Sequence, residues 1–149
     1  MNTNMRLVAL ILILISPTWA ASEYTDKRFS VKGIRIFVNI LDDARDGCWT
    51  NIGEVRTYME DKLSENGAIV VGKGEAGVVL NLRVLARRWT GVGWCYGSMT
   101  LSLNVEGVVR NTDLRVNGSL YRKSSIDIEP ENFNITALTW LGDKLKELD

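Results

Sequence analysis

The sequence predicts an α+β fold in which a mainly antiparallel sheet of four to five strands carries two amphipathic helices on one face. Two observations predict it. Most of the middle of the chain alternates apolar and polar residues, the period of half-buried strands. Two other segments space their apolar residues three and four apart, as amphipathic helices do. The elements follow the order β-α-β-β-β-β-α, and placing both helices on one sheet face buries both apolar stripes.

The first 20 residues have the layout of a secretory signal peptide. A short polar start with one arginine precedes the apolar run at residues 7–15, and small residues follow Pro17. Nine helical residues span about 14 Å, too short for a bilayer core of about 30 Å. We predict cleavage near Ala20, a flexible lead-in at residues 21–30 and a single domain at residues 31–149. The mature chain is then periplasmic or secreted, without a transmembrane segment.

The charge balance and the missing histidine restrict the possible functions. The chain has 18 basic and 18 acidic side chains and no histidine. Nucleic-acid binding would require a concentrated basic face, which this balance does not favour. Histidine is the commonest general base and a common zinc ligand. We therefore expect a non-catalytic protein without a cofactor or metal ion.

The elements up to the second strand follow from local patterns. Alternating residues from Ile34 to Ile40 predict the first strand. The first helix has one apolar stripe, formed by Ile52, Val55, Met59 and Leu63. We expect Asn51 to cap it, with Glu54 completing a box-like arrangement, and Asn66–Gly67 to end it. A short apolar run at residues 68–71 leads to the glycine-rich segment 72–77.

Three longer strands and a second helix complete the chain. One face of the second strand is apolar, with Val78, Leu80, Leu82, Val84 and Ala86. The next strand, from about Ser98 to Arg110, has Met99, Leu101, Leu103 and Val105 on one face. A further strand contains residues 114–122, with an irregularity expected at residues 117–118. The second helix follows Pro130, with Asn132 or Asn134 as its cap and a stripe of Ile135, Leu138, Leu141, Leu145 and Leu148.

Cys48 and Cys95 are the only cysteines, and both lie in the exported part. In an oxidising compartment an even pair predicts a disulfide bond. A metal site would need more ligands, and a thiol nucleophile would lack a histidine base. Trp49 follows one cysteine and Trp94 precedes the other, so the bond is expected to bring two indoles close together.

Two motifs suggest chemistry that their context does not support. Residues 72–77 spell G-x-G-x-x-G, but a dinucleotide site requires a helix directly after the motif, and a strand follows here. Asp42, Asp43 and Asp46 cluster before Cys48, without the spacing of a helix-loop-helix calcium site. We interpret the first as a turn and the second as a solvated acidic loop. A carboxylate-pair enzyme is the least favoured alternative.

The turn region at residues 88–97, rich in glycine and aromatic residues, is with Arg87 the strongest binding candidate. Arginine and tryptophan are enriched at the centres of protein interfaces. If exposed, the segment forms a rigid aromatic and basic surface; if buried, its indoles pack over the disulfide. The candidate partner-binding residues are Arg87, Arg88, Trp89, Trp94, Tyr96 and Trp49.

The stretch from the first helix to the second strand resembles a bacterial envelope pattern. It comprises a helix ending at Asn66–Gly67, the run Ala68-Ile69-Val70-Val71, the step Glu75-Ala76-Gly77, and the alternating strand from Val78 to Val84. This pattern is similar to the lipopolysaccharide-transport accessory lipoproteins and the amino-terminal domain of TolB. Gly77 stands where those proteins usually have aspartate, and no lipidated cysteine is present. The resemblance implies an α+β domain that binds proteins or envelope components without catalysis.

The favoured function is therefore a soluble periplasmic binding or accessory module. It would act through the segment from Trp89 to Tyr96, or by adding a strand at a sheet edge. The alternative is a secreted inhibitor or immunity protein that blocks a partner enzyme.

Overall fold

The computed structural model describes residues 29–108 and 115–149. The predicted signal peptide, its cleavage site near Ala20 and residues 21–28 of the lead-in lie outside the described residues. The last two lead-in residues are described, and Phe29 packs against the core. The amide of Val31 donates a hydrogen bond to the carbonyl of Leu148 at 3.1 Å, which joins the start of the domain to its end.

The described residues form one five-stranded sheet in the order β2-β1-β3-β4-β5. The strands are β1 (Arg35–Asp42), β2 (Ile69–Val70), β3 (Val78–Arg88), β4 (Cys95–Val108) and β5 (Arg115–Glu129). β3, β4 and β5 form an antiparallel meander, whereas β1 is parallel to both β2 and β3. The α+β class and the mainly antiparallel sheet are thus confirmed, with a parallel crossover at one side. That crossover arises because α1 separates β1 from β2.

The period-two pattern produces a sheet with one buried face. All five apolar residues predicted for one face of β3 are buried, as are Met99, Leu101 and Leu103 of β4. The register places Leu80 opposite Leu103 and Leu82 opposite Leu101, so apolar side chains meet across the strands. The opposite face alternates with it and is called the open face below. Neither of the two helices packs against it, because both lie on the buried face.

Both helices cover the buried face. Helix α1 (Ile52–Glu65) buries Val55, Met59 and Leu63, and helix α2 (Asn134–Leu145) buries Ala137, Leu141 and Leu145. The predicted stop of α1 is confirmed by Gly67, whose φ of +81° suits glycine. Ile135 was expected in the buried stripe of α2, but its side chain is 80% exposed because Ala137 turns inward at that end.

Asn51 is the N-cap residue of α1, as predicted, whereas the N-cap residue of α2 is Phe133 and not Asn132 or Asn134. The side chain of Asn51 bonds no amide of its own helix. It donates instead to Glu54 Oε2 at 3.0 Å and to the carbonyl of Asn134 at 3.3 Å, which links the starts of the two helices. Asn132 Oδ1 accepts a hydrogen bond from the amide of Asn134 at 3.0 Å. The asparagines therefore join α1 to α2 as much as they end either helix.

The last strand is longer than the alternation predicted. β5 continues to Glu129, and its irregularity lies at Leu120 rather than at residues 117–118. Leu103 pairs with Tyr121 and Asn104 with Ser119, so Leu120 is an extra residue on β5. The bulge turns Ser119 and Arg122 to the same open face.

Candidate functional site

The β3–β4 hairpin positions two tryptophans side by side. The amide of Trp89 donates to the carbonyl of Trp94 at 2.7 Å, and the amide of Gly93 donates to the carbonyl of Trp89 at 2.7 Å. Gly93 has φ +78°, which glycine adopts without strain. Since Arg88 pairs with Cys95 and Cys95 is buried, alternation places Trp89 and Trp94 on the open face. Their side chains are 56% and 48% exposed.

The predicted disulfide between Cys48 and Cys95 is present, with both residues fully buried. It joins the loop after β1 to the first residue of β4, directly behind the tryptophan pair. The carbonyl of Cys48 also accepts a hydrogen bond from the amide of Phe133 at 2.8 Å. The base of the hairpin is thus tied to the loop before α1 and to the start of α2.

The two arginines of the candidate segment support the hairpin. Arg88 donates to the carbonyls of Asp46, Gly93 and Glu131, and so holds three loops together. Arg87 Nη1 donates to the carbonyl of Asp43 at 2.7 Å. Trp49 is only 4% exposed and belongs to the core, so it does not contribute to this surface. The two indoles beside the disulfide therefore have different environments, Trp49 buried and Trp94 exposed.

Apolar side chains from three strands extend this surface. In the register, Ser98 of β4 lies opposite Leu85 of β3 and Ile126 of β5, and Tyr96 lies opposite Ile128. Each of these apolar residues has 43% or more of its surface exposed, and Ile126 reaches 85%. We call this surface the apolar strip. It consists of Leu85, Trp89, Trp94, Tyr96, Ile126 and Ile128.

The two isoleucines were missed because residues 123–129 were not assigned to a strand. The signal was nevertheless present: Ser124, Ile126 and Ile128 alternate with Ser125 and Asp127. A period-two pattern with polar residues on both faces predicts a strand only weakly. Leu85 lies on the opposite face of β3 from the five buried residues and is 43% exposed.

Next to the apolar strip, the open face is polar. Asn39 donates to Asn81 Oδ1 at 2.8 Å, and the hydroxyls of Thr100 and Ser124 are 3.1 Å apart. Arg83 Nε donates to Asp43 Oδ2 at 2.6 Å. These contacts run across the strands and fix the polar side chains in rows.

Shallow depressions lie along this polar region. One, of about 420 Å³, is lined by Phe37, Asn39, Lys73, Val79, Asn81, Asn104, Asn117, Gly118 and Ser119. Two smaller ones, of about 350 and 190 Å³, both include Arg83, Thr100 and Arg122 in their walls. The smallest also contacts Leu85 of the apolar strip, so the polar region and the strip are continuous.

The glycine-rich segment 72–77 and the aspartate cluster after β1 both have structural roles. Residues 73–75 form a 3-10 turn between β2 and β3, and Glu75 pairs with Arg35 at 2.6 Å. Asp42 Oδ1 accepts from the amide of Ala44 at 2.9 Å, an Asx-type turn. Across the described ranges no group of three or more Cys, Asp or Glu is placed to hold a metal ion.

The sheet has two unequal edges. β2 is only two residues long, whereas β5 is 15 residues long and pairs with β4 alone within the described chain. Of the two edges, β5 is therefore the one that offers enough free backbone for a partner to add a strand. No helix in the described residues is long and apolar enough to cross a membrane.

Comparisons with known proteins show a shared fold. No protein-family model and no curated protein matches the chain. A PelC variant from Paraburkholderia phytofirmans, solved as a dodecamer, is similar with 16% identity and a TM-score of 0.52, over 81% of this chain and 92% of that chain.

Two further solved structures are more distant. A second PelC dodecamer from the same organism has 16% identity and a TM-score of 0.46, over 78% of this chain and 89% of that chain. Lipoprotein GNA1162 from Neisseria meningitidis has 16% identity and a TM-score of 0.37, over 76% of this chain and 95% of that chain. At such identities only the fold is shown by the first PelC structure. The resemblance to lipopolysaccharide-transport accessory lipoproteins stays a prediction.

Proposed function

We propose that this chain is an exported, non-catalytic binding module of a bacterial envelope that contacts a partner protein through the apolar strip. The observation that carries the proposal is the exposure of Trp89, Trp94 and Tyr96 beside Ile126 and Ile128. Large aromatic side chains on a rigid scaffold are the usual anchors of protein interfaces. Exposed apolar groups gathered in one patch are typical of a binding surface.

The support beneath the apolar strip favours recognition with little rearrangement. The disulfide and the three hydrogen bonds of Arg88 hold the hairpin in one position. A preordered surface loses less conformational entropy when it binds. The signal-like start of the sequence and the disulfide support an oxidising compartment, which in a bacterium is the periplasm.

Affinity capture from an envelope extract tests the proposal. The double variant W89A/W94A removes both anchors, and I69A removes an exposed apolar side chain from β2 at the far side of the sheet as a matched control. We expect the native chain and I69A to retain the same partner and W89A/W94A to lose it. Equal capture by all three would refute the apolar strip as the contact surface.

The identity of the captured protein separates the two remaining functions. Recovery of envelope assembly components supports an accessory module. Recovery of one hydrolase whose activity falls on binding would instead identify an inhibitor or immunity protein. Both outcomes retain the apolar strip as the binding surface.

A further inference from the structure

Two arginines on the open face converge on the same space. Arg83 of β3 and Arg122 of β5 both line the depressions of about 350 and 190 Å³. Their strands are separated only by β4, two strand spacings or about 10 Å. Thr100 of β4 lies between them, opposite Arg83 and Ser124. The arrangement presents guanidinium and hydroxyl donors to a single small volume.

The two guanidinium groups are available to a ligand to different extents. Arg83 uses its Nε to hold Asp43 at 2.6 Å, a contact that orients the side chain. Arg122 is exposed and forms no ion pair with any described residue. Placing an unpaired arginine beside an oriented one favours an anion with two acceptor oxygens, such as a carboxylate.

The charged side chains that line the depressions are all basic. They are Lys73, Arg83 and Arg122, and no acidic side chain lines the depressions within the described part of the chain. Asp43 pairs with Arg83 at 2.6 Å and offsets its charge, so Arg122 supplies the unbalanced positive charge of the two smaller depressions. Complementary potential of this kind selects negatively charged partners.

We propose that Arg83 and Arg122 form a carboxylate-binding subsite, and that the partner is a protein whose contact segment carries acidic side chains beside apolar ones. This inference rests on the proposed function, because Leu85 joins the depression of the two arginines to the apolar strip. A partner segment that lies along the open face therefore contacts the apolar strip and, directly beside it, the two arginines. A protein segment fits concave depressions between strands better than a flat lipid surface does.

Selection from a displayed library of random twelve-residue peptides tests the subsite. The full chain, exported to the periplasm and purified, is the bait. We expect the enriched peptides to combine Asp or Glu with aromatic or aliphatic residues. Their synthetic forms should bind R122Q about tenfold more weakly than the native chain, and glutamine-for-glutamate peptides should show the same loss. Raising the salt concentration should weaken the acidic peptides only.

The control variant is K146Q, which removes an exposed positive charge from the helix side of the molecule. It should bind the peptides as the native chain does. Acid-free peptides that bind R122Q normally but W89A/W94A poorly would overturn the carboxylate subsite and leave the proposed function intact. Failure to enrich any peptide that depends on Trp89 or Trp94 would contradict the proposed function itself.

A vesicle assay separates lipid from protein as the anion source. Phosphatidylglycerol vesicles and neutral phosphatidylcholine vesicles are mixed with the native chain and with R122Q. No arginine-dependent retention is expected on either. Binding to the anionic vesicles that R122Q abolishes, without enrichment of acidic peptides, would replace the proposed protein partner with a membrane surface.

Discussion

The amide of Trp89 donates a hydrogen bond to the carbonyl of Trp94 across the β3–β4 hairpin, at 2.7 Å. This pairing places both indoles on the open face, while the next pair inward, Arg88 and Cys95, points to the opposite side. Side chains that anchor the hairpin therefore alternate with side chains that are exposed on it. Mutation can thus remove the exposed contact surface without removing the residues that support the hairpin.

Replacing the exposed tryptophans should leave the fold intact. We expect W89A and W94A each to change the free energy of unfolding by no more than about 0.5 kcal/mol, because neither indole is buried. W49A should cost about 3–5 kcal/mol, since that indole lies in the core. Urea unfolding monitored by circular dichroism measures both. A loss above 2 kcal/mol for W89A would mean that its indole packs against the domain.

Reduction of the disulfide should be strongly destabilising. The bond closes a loop over a sequence separation of 47 residues. In the chain-entropy model this constraint stabilises the folded state by about 4 kcal/mol. Urea unfolding with and without dithiothreitol should show a decrease of this order. The double variant C48A/C95A is the control, because dithiothreitol should not alter its midpoint.

The sequence predicted the buried half of the molecule better than the exposed half. Burial alternates along Val78–Ala86 and Met99–Leu103 because one face is packed, and the apolar residues of that face recur at every second position, so they were predictable from pattern alone. Ile126 and Ile128 carry only a weak signal, because they lie on the exposed face and the residues that alternate with them, Ser125 and Asp127, are polar. The apolar strip arises from register between distant strands, which a single sequence does not encode locally.

The proximity of Arg83 and Arg122 also could not be predicted from the sequence. Arg83 and Arg122 are 39 residues apart in the sequence. They lie near each other only because their strands, β3 and β5, both pair with β4. Arg122 reaches the open face through the bulge at Leu120, which was predicted two to three residues too early. Without the bulge, Ser119 and Arg122 would lie on opposite faces of the sheet.

Gly97 should not tolerate a side chain. A Cβ at this position would meet the backbone of β3, with the Cα of Ala86 at 2.7 Å. Backbone atoms in a paired strand cannot move aside cheaply, so we expect G97A to lose about 1–3 kcal/mol. G53A in α1 is the matched control, because its Cβ would have no neighbour within 4 Å. It should be neutral or stabilise the protein by up to about 1 kcal/mol. Equal effects of the two alanines would refute this packing argument.

Glu147 should make stability depend on pH. Its carboxylate accepts hydrogen bonds from Lys144 Nζ at 2.7 Å and from the hydroxyl of Tyr121 at 3.1 Å, and Lys123 Nζ lies 3.2 Å away. The hydrogen bond from Lys144 is the main cause that lowers the pKa of Glu147 below its ordinary value of 4.5, while partial burial opposes the shift. The folded state therefore favours the charged form.

The direction of the pH effect follows from this lowered pKa. The stabilisation by Glu147 is complete above the ordinary pKa of 4.5 and is lost as the pH falls through the lowered value of the folded state. E147Q should cost up to about 1 kcal/mol at pH 7, a limit set by solvent screening of a side chain that is 34% exposed, and nearly nothing at pH 2. Urea unfolding of both chains at several pH values measures the difference.

D61N is the control, since Asp61 forms no ion pair with a described residue, and its effect should not follow this pattern. A penalty for E147Q that persists unchanged at pH 2 would show that the glutamine disturbs packing rather than charge.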